Sequence, residues 1–576
     1  MRLASRLTCG LLAGCVVTGS ALAQSQPDVS QPEKAAGTGV PVAADQPVAP
    51  PTSMPSKQPP PTQQMGTGGN DLSTRAEPVE HAVGVEVLQQ LAAAAPNLGS
   101  NVERTALVAF YDSRAAQPLW VKGWALSPRA ELAIEEIKRA DEWGLSTRDF
   151  DLPSPAMPLA AGTDAARIDL AEAELKLSLA VLKYARHARG GRMDPGELSN
   201  YIDRIPPLLE PKTVLDQIAQ AEAPDAYLRG LHPQHPQFEQ LRQAYLAVRN
   251  GKPPLTAGVL GERPPKNGSR RKVAVEPETP PARKLLYNME QWRWMPENLG
   301  ETYVWVNVPE FTLRVIKHGN VVHTERVVTG QPHMQTPIFS AEMGSIVFHP
   351  FWGVPDSIKV KEILPALMRG SGVLERHGLR MQHGGRDIDP YGLDWSTVDI
   401  RNFHVYQPPG GGNVLGVVKF VFPNKHQVYM HDTPTKSLFD ATQRAFSHGC
   451  MRVRNPVRLA EVLLAEDKGW EPKKIAALIK GGPQDNNVRL TKKVPVHITY
   501  FTAWVDDGGK LYTRPDVYGH ESRIQMGLDG KAHLIVKRKE DLGPVRAEVV
   551  ARLAETKASS TIRDWMRQVF GNAVNN

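Results

Sequence analysis

The chain has 576 residues, which exceeds one ordinary domain and predicts two or three domains joined by linkers. Apolar residues make up 41% of it, enough for folded cores, whereas 49 prolines and 47 glycines indicate that part of the chain does not pack. The formal net charge of +7 is mild for this length. No basic segment is interleaved with aromatic residues, so the sequence argues against a nucleic-acid-binding protein.

The first 23 residues are typical of a secretory signal peptide. Arg2 and Arg6 give a positive start, residues 7–19 are mostly apolar, and Ala21-Leu22-Ala23 fits a small-residue cleavage site. The apolar run is too short to span a bilayer, which takes about 20 residues. Leu12-Ala13-Gly14-Cys15 also resembles a lipoprotein cleavage box, so a lipid anchor remains an alternative. We therefore expect an exported protein that contacts a membrane only if it is lipid-anchored.

Removal of the signal peptide changes the cysteine inventory. Cys9 and Cys15 lie inside it, so the mature chain keeps Cys450 alone. A single cysteine can form neither an internal disulfide nor a multi-cysteine zinc site. A lone thiol in an exported protein is either reactive or a small buried hydrophobe, and the neighbouring residues must decide between these two interpretations.

The N-terminal half divides by composition into a spacer and a helical region. Residues 24–77 are rich in Pro, Gln, Ser, Ala and Gly and are predicted to be a disordered linker. In residues 78–250, Ser127-Pro128 is a helix-start signal, and apolar residues recur at helical spacing from about 165 to 188. No cluster of potential catalytic groups stands out here, so this region is predicted to be a helical scaffold domain.

The C-terminal half changes to a β pattern. Residues 251–281 are Pro-rich and predict a second linker, after which alternation with period two begins at Tyr303. His318-Gly319-Asn320 predicts a hairpin turn, and Asn455 with Pro456 predicts a capped helix start. The pattern therefore indicates a multidomain α+β protein.

Two further predictions concern the C-terminus. A β-hairpin around Asp507-Gly508 is expected within residues 491–540, and residues 541–576 read as a charged tail.

The surroundings of Cys450 favour a nucleophile. A thiol attacks as the thiolate, so a catalytic cysteine needs neighbours that lower its pKa. Arg452 and Arg454 follow Cys450, and His448 precedes it by two residues. His431, 19 residues upstream at the end of a predicted strand, is a candidate acceptor of the thiol proton.

Gly449 extends this constellation, because glycine permits unusual backbone angles and close approach of a substrate. Backbone N–H groups of Gly449 and Cys450 would then face a developing oxyanion, where each donor contributes roughly 3–4 kcal/mol. Taken singly, His431 could be an ordinary hydrogen-bonded strand-end histidine, His448 a loop cap and Arg452 a surface charge. Spacing alone supports a cysteine nucleophile in acyl transfer and nothing narrower.

The motifs resemble a known family. SHGCMRVRN, residues 447–455, resembles the Ser-His-Gly-Cys-x-Arg signature of the L,D-transpeptidase catalytic domain often called YkuD. HDTP, residues 431–434, is similar to the upstream histidine motif of that family. VNVPEFTLRVI, the Gln335-Thr336-Pro337 segment, FWGVP and VKFVFPNKHQVYMHDTP resemble its larger YcbB-like branch.

The resemblance implies a mainly-β YkuD-type catalytic domain at residues 282–490, with a lid subdomain inserted at 356–400 and the C-terminal hairpin packed against it. It also implies roles for individual residues. Cys450 would be the nucleophile, His431 its base, and the carbonyl of Asp432 would orient the His431 ring. The remaining residues would serve the oxyanion region, the nucleophile loop or the substrate carboxylate: Ser447, His448, Gly449 and Arg452.

The implied reaction joins peptidoglycan stem peptides in the bacterial periplasm. A tetrapeptide donor would lose D-alanine to form a thioester, and the amine of a diamino-acid acceptor would resolve it as a 3→3 cross-link. Carbapenem-type inhibitors would acylate the same thiol, and no metal or organic cofactor would be needed. The alternatives are an L,D-carboxypeptidase, attachment of proteins to peptidoglycan by the same fold, or a non-enzymatic cell-wall-binding scaffold protein.

Overall fold

The structure is a computed structural model. The predictions for the signal peptide, the Pro-rich spacer, most of the second linker and the charged tail lie outside the described residues, and those boundaries stay predictions. The described residues are 79–93, 99–154, 161–252, 281–506 and 508–537.

The N-terminal part is helical, as predicted. Ser127 caps the helix that starts at Pro128, since its hydroxyl accepts the Ala130 N–H, and the helix expected at about 165–188 runs from Asp164 to Gly190. A two-stranded ribbon, β1 (Val121–Lys122) with β2 (Ala125–Leu126), interrupts the helices. The helices are α1 (Val79–Ala92), α2 (Asn101–Ser113), α3 (Pro128–Lys138), α4 (Asp164–Gly190), α5 (Pro195–Leu198), α6 (Pro211–Gln220), α7 (Pro224–Gly230) and α8 (Pro236–Arg249).

One buried carboxylate organises the centre of this scaffold. Glu174 on α4 has no exposed surface, and its oxygens accept the backbone N–H groups of Leu119, Trp120 and Val121 at 2.5, 2.8 and 3.1 Å. The Tyr111 hydroxyl donates to the same carboxylate at 2.7 Å. The group therefore satisfies backbone donors just before and at the start of β1 and has a structural role.

The C-terminal part is built on a nine-stranded sheet with the order β13-β5-β14-β12-β11-β6-β15-β3-β4. Because β4 also pairs with β5, eight of these strands close into a ring around an apolar core. The strands are β3 (Thr302–Asn307), β4 (Thr312–Lys317), β5 (Asn320–Gly330), β6 (Ser340–Phe348), β11 (Val418–Val421), β12 (Met430–His431), β13 (Ala445–Ser447), β14 (Met451–Val453) and β15 (Asn486–Thr499).

A smaller sheet with its own apolar core lies between β6 and β11 in the chain. We call residues 352–407 the lid subdomain; the predicted insertion at 356–400 falls inside it. Its strand order is β7-β10-β8-β9, formed by β7 (Trp352–Gly353), β8 (Arg380–His383), β9 (Arg386–Asp387) and β10 (His404–Gln407). Its helices are α10 (Asp356–Ile358), a π-helical turn (Lys359–Ile363), α11 (Leu364–Met368) and α12 (Val373–Arg376).

The C-terminal elements differ from the predicted boundary at residue 490, because β15 runs through it. Val494, Val496 and Ile498 continue the alternating pattern and are buried in the core of the large sheet. The antiparallel hairpin follows as β16 (Ala503–Val505) and β17 (Leu511–Thr513). The remaining helices are α9 (Pro281–Arg293), α13 (Pro456–Lys468), α14 (Pro472–Gly481) and α15 (His520–Leu528).

Asn455 precedes α13 as predicted, but its side chain makes no capping hydrogen bond. Its amide donates instead to Glu325 on β5 at 2.7 Å. Asn455 therefore has the predicted position, but the predicted capping hydrogen bond was wrong. A carboxylate from a distant strand competes with the helix N–H groups for the Asn455 side chain.

The scaffold and the sheet meet through backbone contacts. The Asp203 N–H donates to the Ile338 carbonyl at 2.8 Å, and the Ile338 N–H donates to the Tyr201 carbonyl at 2.7 Å. Arg204 reaches past them to the Ile498 carbonyl at 2.5 Å. The predicted fold class, a helical scaffold with a mainly-β domain, is confirmed. Among the described residues, no helix is long and apolar enough to cross a membrane.

Candidate active site

The strand register brings the predicted nucleophile and base to the same face of the sheet. β12 and β14 are parallel, with Met430 opposite Met451 and His431 opposite Arg452, so Tyr429 lies across from Cys450. Side chains alternate along a strand, and paired residues share a face. His431 therefore points to the same side as Cys450, whereas Met430 and Met451 are fully buried in the core on the other side.

The side chains of Cys450, Tyr429, His431 and Arg452 share this face. A fifth side chain lies on it and comes from β11. Lys419 pairs with His431 across the antiparallel β11–β12 ladder, and its ammonium lies 4.1 Å from the centre of the Tyr429 ring. The face therefore combines a thiol, an imidazole, a phenol and two cations. This set can generate and hold a thiolate, which is what attack on an acyl group requires.

The loop that carries Cys450 is tied internally by Ser447, which is buried. Its hydroxyl accepts the Gly449 N–H at 3.2 Å and donates to the Cys450 carbonyl at 2.5 Å. Gly449 has a φ of +111°, a backbone conformation that side chains disfavour. Thr336, with no exposed surface, donates its hydroxyl to the Gly449 carbonyl at 2.8 Å.

His431 is held in one tautomer. Its Nδ1–H donates to the carbonyl of Asp432, which is the contact that the resemblance implied. Burial and then the positive charge of Arg452 lower the pKa of His431 to about 3. The imidazole is therefore neutral at physiological pH, and Nε2 is its proton-accepting atom.

Cys450 is half-buried, and burial raises the pKa of its thiol above the ordinary value. Hydrogen bonding to Tyr429 and the charges of Lys419 and Arg452 oppose that effect without overcoming it. We expected neighbouring cations to lower the pKa of the Cys450 thiol below its ordinary value. The pKa is raised instead, so this expectation was wrong. Arg452 does act in the expected direction, since its charge lowers this pKa.

Two regions of the chain match known domain families. Residues 301–498 match the L,D-transpeptidase catalytic domain, YkuD, and residues 105–244 match the family described as Scaffold domain. Residues 301–498 are an L,D-transpeptidase catalytic domain of the YkuD type. Residues 301–498 contain every predicted site residue, and the predicted resemblance to the L,D-transpeptidase family is confirmed.

Known proteins of the transpeptidase family resemble parts of the chain. A Haemophilus influenzae protein named "Putative L,D-transpeptidase" is 28% identical over 256 residues, which are 44% of this chain and 51% of that protein. The chain thus spans about half the length of this curated relative. An L,D-transpeptidase from Mycobacterium smegmatis has 12% identity over 34% of this chain and 58% of its own, with a TM-score of 0.16.

A second solved structure is L,D-transpeptidase 3 from Mycobacterium tuberculosis in complex with a faropenem-derived adduct. It has 13% identity over 34% of this chain and 60% of its own, with a TM-score of 0.17. Similarity at this level carries no weight on its own, so the assignment of the transpeptidase domain depends on the family match.

Within the transpeptidase domain, two predicted oxyanion contributors have other partners. The Gly449 N–H is bonded to Ser447, so it is not directed at a substrate in this arrangement. The His448 Nε2 lies 3.0 Å from a carboxylate oxygen of Glu362 in the lid subdomain. The oxyanion roles of Gly449 and His448 therefore stay predictions. The local sequence carries no sign of the His448 contact, because Glu362 lies 86 residues earlier in the chain.

Arg452 and Asp432 support the transpeptidase site from within the sheet. Arg452 is buried, and burial lowers the pKa of its guanidinium to about 10, although the Cys450 thiolate opposes this effect. The Asp432 carboxylate accepts the Val417 N–H at 3.0 Å and the Lys436 ammonium at 2.5 Å. Both side chains therefore act on the electrostatics and shape of the site.

Sequence reasoning missed four side chains around Cys450 and its loop: Lys419, Tyr429, Glu362 and Thr336. Only Tyr429 carried a usable signal, because it stands two residues before His431 on a predicted strand and must share its face. Lys419 and Glu362 come close to the site only through strand pairing and the packing of the lid subdomain.

The Lys419 ammonium should be measurable in the titration of Cys450. We expect iodoacetamide to alkylate the wild-type thiol with a midpoint above the ordinary pKa of 9.0, because burial dominates. Lys419→Met removes a nearby positive charge that favours the thiolate, and should raise the midpoint by up to about one pH unit. Lys425→Met, at an exposed lysine paired with Asp203, is the matched control and should leave it unchanged. A midpoint well below the ordinary value would contradict this account.

Proposed function

We propose that the protein is a peptidoglycan L,D-transpeptidase that forms 3→3 cross-links through a thioester on Cys450. The observation that carries the proposal is the position of His431. It lies on the strand next to the nucleophile, on the same face, neutral and with Nε2 as its acceptor atom. A non-enzymatic wall-binding protein has no use for an imidazole oriented in this way beside a thiol.

The first half-reaction is acylation. The substrate is a tetrapeptide stem whose third residue is a diamino acid joined to a terminal D-alanine. As Sγ of Cys450 bonds to the carbonyl carbon of the third residue, the thiol proton passes to Nε2 of His431. The C–N bond to D-alanine then breaks, the leaving amine takes that proton, and the thioester remains.

The raised pKa of the Cys450 thiol and the lowered pKa of His431 bear on the timing of this step. Both shifts favour the neutral pair over an ion pair in the resting protein. Proton transfer would accordingly accompany attack, with Lys419 and Arg452 favouring the thiolate as it forms. We propose the backbone N–H of Cys450 as an oxyanion donor, since the Gly449 N–H is already bonded to Ser447.

The second half-reaction transfers the acyl group to an amine. The side-chain amine of a diamino acid on a neighbouring stem attacks the thioester carbonyl, a C–N bond forms, and the C–S bond breaks. An acceptor that arrives as an ammonium first passes one proton to the neutral Nε2 of His431, which releases it to solvent. The proton that the attacking amine loses as the C–N bond forms then passes to the departing sulfur and restores the thiol. These steps use protein side chains and substrate groups alone, and the signal peptide expected at residues 1–23 would place the reaction in the periplasm.

Carbapenem-type β-lactams are expected to acylate the same thiol. Their strained ring amide offers a carbonyl carbon to Sγ of Cys450, and ring opening keeps the leaving nitrogen attached to the adduct.

Product analysis tests the proposal. Mature protein is incubated with disaccharide-tetrapeptide, and the products and the intact protein are followed by mass spectrometry, with Cys450→Ala as the control. We expect a protein adduct of the stem lacking D-alanine, and a dimer that has lost one D-alanine. The control should show neither.

The alternatives predict different products in the same assay. A tripeptide without dimer would identify an L,D-carboxypeptidase, in which water resolves the thioester. The absence of both adduct and product from wild-type protein would contradict the proposal and leave a wall-binding role.

A further inference from the structure

The lid subdomain contacts the nucleophile loop through a carboxylate. Glu362 lies in the π-helical turn Lys359–Ile363 and is 7% exposed. Its Oε1 is 3.0 Å from Nε2 of His448, two residues before the thiol. π-helical turns within α-helices are frequent at functional sites, and this one directs a charged group toward the loop that carries Cys450.

The second oxygen of Glu362 is the unusual feature. Oε2 is buried and has no hydrogen-bond partner in the structure, and it is the only carboxylate oxygen in this condition among the described residues. Asp432, the other carboxylate beside the site, uses both of its oxygens. A carboxylate oxygen that is shielded from water and has no hydrogen-bond partner is costly, so its presence beside the loop that carries Cys450 points to a cationic donor that would bind it.

The charges around the thiol indicate which donor is needed. Lys419 and Arg452 lie on the nucleophile face and favour a thiolate, but they repel an incoming cation. An acceptor diamino acid arrives as a primary ammonium, because free amines of this kind have a pKa near that of lysine, about 10.4. The acceptor therefore needs a counter-charge, and Glu362 places one from the lid side at His448, two residues before Cys450.

We propose that Glu362 binds the primary ammonium of the acyl acceptor, so that the lid subdomain carries the acceptor subsite. This inference rests on the proposed transpeptidase function and deepens it. Oε2 is shielded from solvent in the arrangement seen, so the ammonium must enter while the lid subdomain is displaced and be enclosed as it seats on the loop. The acceptor would then be bound in the same step in which the lid subdomain closes over the site.

The experiment separates acylation from acyl transfer. The donor is a disaccharide-tetrapeptide whose side-chain amine is acetylated, so that it cannot act as an acceptor. The acceptor is a disaccharide-tripeptide, which lacks the terminal D-alanine and cannot act as a donor. Thioester formation is measured by intact mass with the donor alone, and aminolysis against hydrolysis is measured as the acceptor concentration is raised.

Three variants are compared with wild type. Glu362→Gln keeps the shape of the side chain and removes its charge, and Glu362→Asp keeps the charge. Glu375→Gln is the matched control, because Glu375 is an exposed carboxylate of the same subdomain that is bonded to Tyr391. Thermal unfolding of each variant checks that the subdomain stays folded.

We expect Glu362→Gln to form the thioester within about twofold of the wild-type rate, while the acceptor KM rises by about tenfold or more, as loss of a charge-assisted hydrogen bond predicts. Hydrolysis should then replace cross-linking. Glu362→Asp should recover part of the acceptor dependence, and Glu375→Gln should match wild type.

Two results would overturn the inference while leaving the proposed function intact. One is an unchanged acceptor dependence in Glu362→Gln. The other is an equal slowing of acylation and aminolysis that Glu362→Asp does not relieve, which would make Glu362 a purely structural support of His448. Failure of wild-type protein to form any thioester would instead remove the proposed function and this inference with it.

Discussion

The His431→Gln variant is expected to lose acylation by about 10²- to 10⁴-fold, the usual contribution of a general base. Glutamine is similar in size and polarity but cannot accept the thiol proton. The loss should be large here because burial raises the pKa of the Cys450 thiol, so little thiolate exists without a base. The measurement is the rate of adduct formation with a tetrapeptide or a carbapenem, followed by intact mass, with Cys450→Ala as the zero reference.

A matched control for this variant is His426→Gln. His426 is a half-buried histidine of the same domain, and its Nε2 lies 3.0 Å from Asp203 of the scaffold. It should acylate at close to the wild-type rate. Equal acylation by wild type and His431→Gln would contradict the role of His431 as the base.

The lowered pKa of His431 also predicts how the acylation rate changes with pH on the acidic side. The pKa of His431 is lowered from 6.5 to about 3, so the imidazole is neutral above that pH and becomes protonated only below it. Wild-type acylation should therefore show no loss from histidine protonation between about pH 5 and pH 7, where an ordinary histidine titrates.

The Thr336→Val variant is expected to destabilise the transpeptidase domain and slow acylation together. The Thr336 hydroxyl accepts the Gly330 N–H at 2.9 Å and donates to the Gly449 carbonyl at 2.8 Å, in a place with no solvent exposure. Valine has the same shape but satisfies neither group. Each buried group left unpaired costs about 1–3 kcal/mol, so the loss of both partners should lower the free energy of unfolding by about 2–6 kcal/mol.

Thermal unfolding and the acylation rate check this expectation on the same preparation. Thr312→Val is the control, because the Thr312 hydroxyl makes a single hydrogen bond, to the Glu310 carbonyl at 3.1 Å, on a half-buried strand. Its melting temperature should change little. A Thr336→Val protein with wild-type stability and acylation would show that the Gly449 loop does not depend on this hydroxyl.

Much of the fold was predictable because its signals are local. Ser127 before Pro128 marks a helix start through one capping bond, and the alternation from Tyr303 marks strands through the two-residue period of the backbone. The nucleophile motif was equally readable, since Ser447, Gly449 and Cys450 are neighbours in the chain and bond to each other.

The features that the sequence did not predict share a different property: each depends on a partner that is far away in the chain. Asn455 bonds to Glu325, which is 130 residues earlier, and His448 pairs with Glu362, which is 86 residues earlier. The extension of β15 past residue 490 likewise follows from its pairing with β6 and β3. Spacing along the chain carries no information on such contacts.

The sequence by itself determined the two-part architecture and the motif that carries Cys450, and it predicted a single cysteine after signal cleavage, because each depends on residues that are near one another in the chain. The tertiary structure alone decided the electrostatics: which groups surround Cys450, that burial raises the pKa of its thiol, and that a lid carboxylate with one unpaired oxygen lies beside its loop. Desolvation and charge interactions depend on everything packed within a few ångströms, and that set is assembled from strands and helices distant in the chain.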